Sequence, residues 1–178
     1  MNKWLLLIIA IILSGNYQAE AQKRKPLKNQ EELAEEPVYQ SFKDALWRKR
    51  RVYKLNLDGK DMTYIPAKIE KFINLQELYL RNNNITELPP EIFTLKNLQK
   101  LMLGENNITV VPSEIGRLEN LTELDLFSNK IDSLPDEIGN LEKLEKLHLN
   151  WNKIHFLPES IGNLVHLKTL FLEKNQLK

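Results

Sequence analysis

The sequence predicts an α/β repeat solenoid: a curved stack with a parallel β-sheet on its concave face, short helical or irregular convex segments, and an N-terminal cap helix in front. Three observations carry this expectation. A pattern of apolar residues recurs every 23 residues from Val52 onward. A Leu-x-Leu pair recurs inside it, with the two-residue period of a strand, so both leucines face the same side. An asparagine follows every strand but the first, and a Leu-Pro-like pair every strand but the last. A fixed period of this length marks stacked units, none of which can bury its apolar face alone.

The segments before the repeats read differently. Lys3, the apolar run Trp4 to Leu13 and the closing Ala19-Glu20-Ala21 have the layout of a secretory signal peptide over 1–21. The run is about half the roughly 20 residues that a membrane span needs. It predicts cleavage near Ala21 and a secreted, periplasmic or cell-surface product, with a membrane partner only if the segment is uncleaved. With no cysteine in the chain, an exported fold must hold by burial alone, a combination that leans towards bacterial export. Residues 22–36 (QKRKPLKNQEELAEE) are polar and read as a flexible leader. Over 37–51, Val38, Phe42, Ala45, Leu46 and Lys49 fall at helical spacing. Pro37 and Glu35-Glu36 suit one helix end and Arg48 to Arg51 the other. This predicts a cap helix laid over Leu55 and Leu57, because a solenoid exposes its core at each end. The rival reading of Arg48 to Arg51 is a membrane or nucleic-acid patch, against that of a solvated helix end.

The repeats occupy 52–178, with five complete units at 52–74, 75–97, 98–120, 121–143 and 144–166 and a partial one at 167–178. The fourth position holds Leu55, Leu78, Leu101, Leu124, Leu147 and Leu170, and the sixth Leu57, Leu80, Leu103, Leu126, Leu149 and Leu172. The ninth holds Lys60, then Asn83, Asn106, Asn129, Asn152 and Asn175. An amide there offers two donors and an acceptor to neighbouring backbone, so stacked asparagines predict a ladder. Proline at the fifteenth position favours an extended residue before it and starts the return. Gly116, Gly139 and Gly162 at the nineteenth suggest a tight bend. Together these residues resemble the leucine-rich-repeat family in its 23-residue form, LxxLxLxxNxLxxLPxxIxxLxx, and bacterial exported members of it. The resemblance implies a non-enzymatic interaction scaffold.

Charge and motifs exclude several functions. With 25 basic residues against 24 acidic ones, the chain lacks the basic excess of a non-specific nucleic-acid binder, and nucleic acid is not expected as a partner. No cofactor is expected, since no glycine-rich phosphate loop occurs. Metal ligands are too few, and Ser128, His148 and Asp125 on an open face lack the burial and oxyanion site a triad requires. What remains is the concave face. Its third-position column, Lys54, Glu77, Lys100, Glu123, Lys146 and Thr169, alternates in sign and reads as structural. The neighbouring columns bring Tyr79, Arg81, Met102, Asp125, Phe127, His148, Trp151 and Phe171 outward, residue types that protein interfaces favour. These eight are the expected site for a protein or peptide partner. The competing structural reading has Trp151 and Phe127 packing on each other to cover the sheet. Rival functions are a cell-envelope carbohydrate binder, whose aromatics stack on sugar rings, and an N-terminal fragment of a longer repeat scaffold. The half repeat LFLEKNQLK has no visible cap, which predicts fraying or self-association at that end.

Overall fold

The computed structural model describes residues 24–178; the expected signal segment 1–21 lies outside the described residues. Each Leu-x-Leu pair forms a three-residue strand: β2 Lys54–Asn56, β3 Glu77–Tyr79, β4 Lys100–Met102, β5 Glu123–Asp125, β6 Lys146–His148 and β7 Thr169–Phe171. A two-residue strand β1, Val38–Tyr39, precedes them. Among the described residues these form one seven-stranded sheet in chain order, every neighbouring pair parallel. Lys54, Glu77, Lys100, Glu123, Lys146 and Thr169 stand in line, so one repeat length separates partners everywhere.

On the opposite side each complete repeat makes a five-residue 3-10 turn, as in Pro90–Thr94, Ser113–Arg117 and Asp136–Asn140. The preceding proline is extended, with φ −66° and ψ 152° at Pro112. Its carbonyl accepts from the Ile115 amide at 3.0 Å, and the Ile115 carbonyl accepts from Leu118 at 3.1 Å. The turn tightens to 3-10 because so few residues must cross the width of the core before the next strand. Between sheet and turns lies a single core. Leu55, Leu78, Leu101, Leu124 and Leu147 are fully buried against Ile69, Ile92, Ile115 and Ile138. In the sixth unit Leu170 and Leu172 are only partly buried.

The asparagines form the expected ladder, and each one joins two repeats. Asn106 Nδ2 donates to the carbonyls of Leu103 in its own repeat at 3.0 Å and of Leu80 in the preceding one at 2.9 Å. Its Oδ1 accepts from the Ile85 amide at 3.0 Å. Asn83, Asn129, Asn152 and Asn175 repeat the arrangement. In the first repeat Lys60 replaces asparagine, and its backbone N–H is itself capped by Asn83.

Three sequence expectations need correction. The leader does not hang free over 24–36. The Lys25 and Lys28 amides donate to Asn74 Oδ1 (2.7 Å) and Gln76 Oε1 (2.9 Å), and Asn97 Nδ2 donates to the Lys25 carbonyl (3.1 Å). Then α1, Gln30–Ala34, starts from a reciprocal Asn29–Glu32 capping box and buries Leu33. Secondly, the continuous cap helix over 37–51 is replaced by β1, a short helix α2 at Phe42–Trp47 and a 3-10 turn at Lys49–Arg51. Ser41, whose hydroxyl accepts from the Asp44 amide at 3.3 Å, sets the start of α2, and extending the chain at Val38–Tyr39 closes the otherwise bare edge of β2. The apolar stripe still caps the core through Ala45, Leu46 and Phe42, whose ring meets Phe72 edge-on at 5.3 Å. Thirdly, Gly116 and Gly139 serve close packing rather than a bend conformation, while a Cβ on Gly162, in the last complete repeat, would meet no atom within 4 Å. A Cβ on Gly116 or Gly139 would come within 2.7 Å of the Glu137 carbonyl or 2.6 Å of the Ser160 carbonyl in the next turn.

Because Asn106 satisfies three buried backbone groups at once, Asn106→Ala is expected to cost about 3–5 kcal/mol in urea unfolding. A loss under 1 kcal/mol would show that the ladder is ornamental.

Candidate functional site

The sheet face opposite the 3-10 turns divides into two halves with different chemistry. In the first half the predicted residues are already engaged with one another. Arg81 at the end of β3 reaches over β4 to Asp125 in β5, with Nε and a terminal guanidinium nitrogen each 2.7 Å from Asp125 Oδ2. Gly104 lies between them and makes the reach possible, since a Cβ there would stand 3.1 Å from Oδ2 and 3.2 Å from Oδ1 of Asp125. Asp125 Oδ1 accepts from the Phe127 amide at 3.0 Å, so both oxygens of this carboxylate, 4% exposed, are already engaged. The Arg81 amide donates to Asp58 Oδ1 at 2.7 Å. Tyr79 donates its hydroxyl to Glu77 at 2.9 Å, and Glu77 pairs with Lys100 at 2.9 Å. Burial, and then the Glu77 carboxylate accepting that proton, hold the Tyr79 phenol well above its ordinary range. Met102 is 3% exposed and fills the space beneath them. Met102 and Asp125 are therefore framework, not contact surface.

The second half is open and aromatic. The His148 ring in β6 lies 4.8 Å from that of Phe171 in β7, tilted by 51°. His148 Nε2, at the end of β6, and Asn150 Oδ1, two residues beyond it, are both buried without a hydrogen-bond partner. Sequence reasoning missed Asn150, which offers no signal until its environment is known. Phe127 on the neighbouring unit is half-buried. Although Asp125 and His148 are partners in strand register, no hydrogen bond joins them among the described residues, and Ser128 hydrogen-bonds only through its backbone, to Asn150 and Asn106. Nor do the described residues hold a His, Cys, Asp and Glu group able to bind a metal.

Trp151 stands at the rim. The eighth position has a positive φ in every unit: Gly59 (62°), Asn82 (52°), Glu105 (57°), Ser128 (51°), Trp151 (59°) and Lys174 (58°). This left-handed residue turns the chain out of the strand so that the next asparagine points inward. Glycine and asparagine adopt it readily, whereas a bulky aromatic residue there is strained. Trp151 is 55% exposed and meets the Lys174 ammonium at 5.8 Å from the ring centroid. No ring contact joins it to Phe127 among the described residues, so mutual packing does not account for it.

A leucine-rich-repeat family model matches residues 73–131 and 119–177. A leucine-rich-repeat protein of Leptospira interrogans is 44% identical, with a TM-score of 0.76, over 79% of this chain and 36% of that one. A plant peptide hormone receptor, RGFR1, in complex with RGF2, is 40% identical with a TM-score of 0.64 over 69% of this chain and 21% of the receptor. Internalin C2 of Listeria monocytogenes is 29% identical with a TM-score of 0.66 over 72% of this chain and 54% of that one. The chain thus spans about a third of the Leptospira protein's length. No curated protein matches it.

Two outcomes follow from this geometry. Replacing Trp151 by the asparagine that the second repeat uses relieves the left-handed strain, and Trp151→Asn is expected to raise stability by about 0.5–1 kcal/mol in urea; a loss above 1 kcal/mol would make Trp151 a packing residue. The folded state also favours neutral Tyr79 more than the unfolded chain does. That contribution is complete below the unfolded phenol value near pH 10 and is lost above it, as pH climbs through the raised folded value. Stability followed against pH is expected to fall less steeply above pH 10 in Tyr79→Phe than in wild type.

Proposed function

The chain belongs to the leucine-rich-repeat family, and from that premise we propose that it is an exported, non-enzymatic module that binds an extended peptide or protein segment on its sheet face. The observation that carries the reading is the unpartnered pair, His148 Nε2 and Asn150 Oδ1, set beside Phe127 and Phe171. Buried polar atoms without partners are uncommon and costly in a folded chain. A peptide unit offers a donor for Asn150 and an acceptor for protonated Nε2, together with apolar side chains for the flanking rings. Phe171, 39% exposed at the outer strand, is the ring that moves to admit it. Interfaces draw most of their energy from a few such aromatic anchors in desolvated surroundings. The first half of the face contributes rigidity: the Arg81–Asp125 and Tyr79–Glu77 contacts hold β3, β4 and β5 as a platform.

The receptor that resembles the chain supports this by analogy of fold, since it is a peptide hormone receptor in complex with RGF2. The signal-like residues 1–21 support export.

The test is capture of partners from an envelope extract by wild type, by Phe127→Ala/Trp151→Ala, and by Phe156→Ala. Phe156 is an aromatic outside the strands, more exposed (64%) than either Trp151 or Phe127. The double variant is expected to lose at least about tenfold in recovery while Phe156→Ala retains it, in line with the 2 kcal/mol or more carried by anchor residues. Equal recovery from all three proteins would remove the sheet face as the site. Glycan binding that depends on Trp151, without protein capture, would replace the peptide reading with a carbohydrate one.

A further inference from the structure

A second surface lies at the cap, and neither the core nor the sheet face uses it. Trp47, the last residue of α2, is 84% exposed, more than any other large apolar side chain described. The other side of the helix buries Ala45 in the core, so the fold itself holds the indole outward. Arg48, Lys49, Arg50 and Arg51 follow it, and all four are exposed. None of their side chains forms an ion pair or hydrogen bond among the described residues. Asn74 is hydrogen-bonded to Arg50 only through the backbone carbonyl. Trp47 and these four residues line one open hollow of about 460 Å³. An adjoining hollow shares Lys49 and Arg50 and adds Arg24. Its carboxylate, Glu70, is already paired with Lys71 at 2.7 Å.

Charge is therefore segregated along the molecule. Residues 42–51 carry Lys43, Arg48, Lys49, Arg50 and Arg51 against Asp44, a balance of +4 in a chain whose total is +1. Exposed ammonium and guanidinium groups lose little by standing in water, but an indole exposed to this degree forfeits its apolar burial. One surface satisfies both: anionic headgroups over an apolar interior. Tryptophan prefers that boundary, with its ring in the acyl margin and its N–H in the polar layer, and each neighbouring basic residue adds attraction to acidic lipid. Position along the chain agrees. Arg24, which lines the adjoining hollow, follows the apolar run Trp4 to Leu13 by eleven residues in the sequence.

We propose that the cap docks on anionic phospholipid, with Trp47 entering the interface and Arg48 to Arg51 on the lipid phosphates. This leaves the sheet face open to a partner, and the proposal stands whether or not that face binds peptide.

The test uses the full chain and co-sedimentation with vesicles of phosphatidylcholine alone or of phosphatidylcholine mixed with phosphatidylglycerol. The apolar run contributes to both, so the ratio of the two partition coefficients reads the patch. Wild type is expected to favour the anionic vesicles by about tenfold or more at low salt, falling towards unity near 1 M salt. Replacing all four basic residues by glutamine should bring the ratio close to one. Trp47→Ala should lower binding to anionic vesicles about fivefold while both variants melt like wild type, since every altered side chain is solvated. A wild-type ratio near one, or variants that partition as wild type does, would overturn the proposal. So would tight binding to heparin that is unchanged in Trp47→Ala, with no vesicle preference, because that outcome describes a site for soluble polyanions.

Discussion

A buried side-chain amide that must satisfy backbone on two repeats at once is the constraint on which the remaining structure depends. Asn83, Asn106, Asn129 and Asn152 are each less than a tenth exposed and use both ends of the amide. A slip of one residue between units would strand these donors and acceptors in the core, where each unpaired group costs about 1–3 kcal/mol. Register is thus held at 23 residues from β2 to β7. The columns on the sheet face exist only because of that register. So does the strain at Trp151, since the residue before each ladder asparagine must be left-handed whatever its side chain.

This hierarchy explains what could be read in advance and what could not. The leucines, asparagines and prolines are repeated, so their meaning accumulates over units, and the parallel solenoid followed from them directly. The left-handed eighth position was hidden, because only Gly59 and Asn82 are residues that favour it, while Glu105, Ser128, Trp151 and Lys174 conceal it. The segments outside the repeat were least legible. Composition made 22–36 look like free chain, yet the docking of 24–36 needs only Leu33, one capping box and a few backbone N–H and carbonyl groups that meet Asn74, Asn97 and Gln76. Helical spacing over 37–51 was partly a coincidence of residues split between a strand, a helix and a turn.

The candidate site separated along similar lines. Outward position along a strand was predictable from the two-residue period, but engagement was not. Arg81 and Asp125 lie two strands apart and meet only because Gly104 leaves the path clear. Their pairing turns one half of the face into a platform. Asn150 was indistinguishable from any surface asparagine until its carbonyl oxygen proved buried and unpaired beside His148. The result is a face with a rigid polar half and an adaptable aromatic half, with a basic, tryptophan-tipped cap at the edge where the sheet begins.

Amide hydrogen exchange on the native protein tests the ladder most directly, at the N–H groups of Ile85, Ile108 and Ile131, which donate to the asparagines of the following repeats. They lie in non-strand coil, so strand pairing gives them no protection. If the asparagines lock the stack, these amides exchange as slowly as those of Leu80 and Leu103, which donate to the next strand at Met102 and Asp125, with opening free energies near that of global unfolding. Exchange at the rate of the exposed turns would contradict the account.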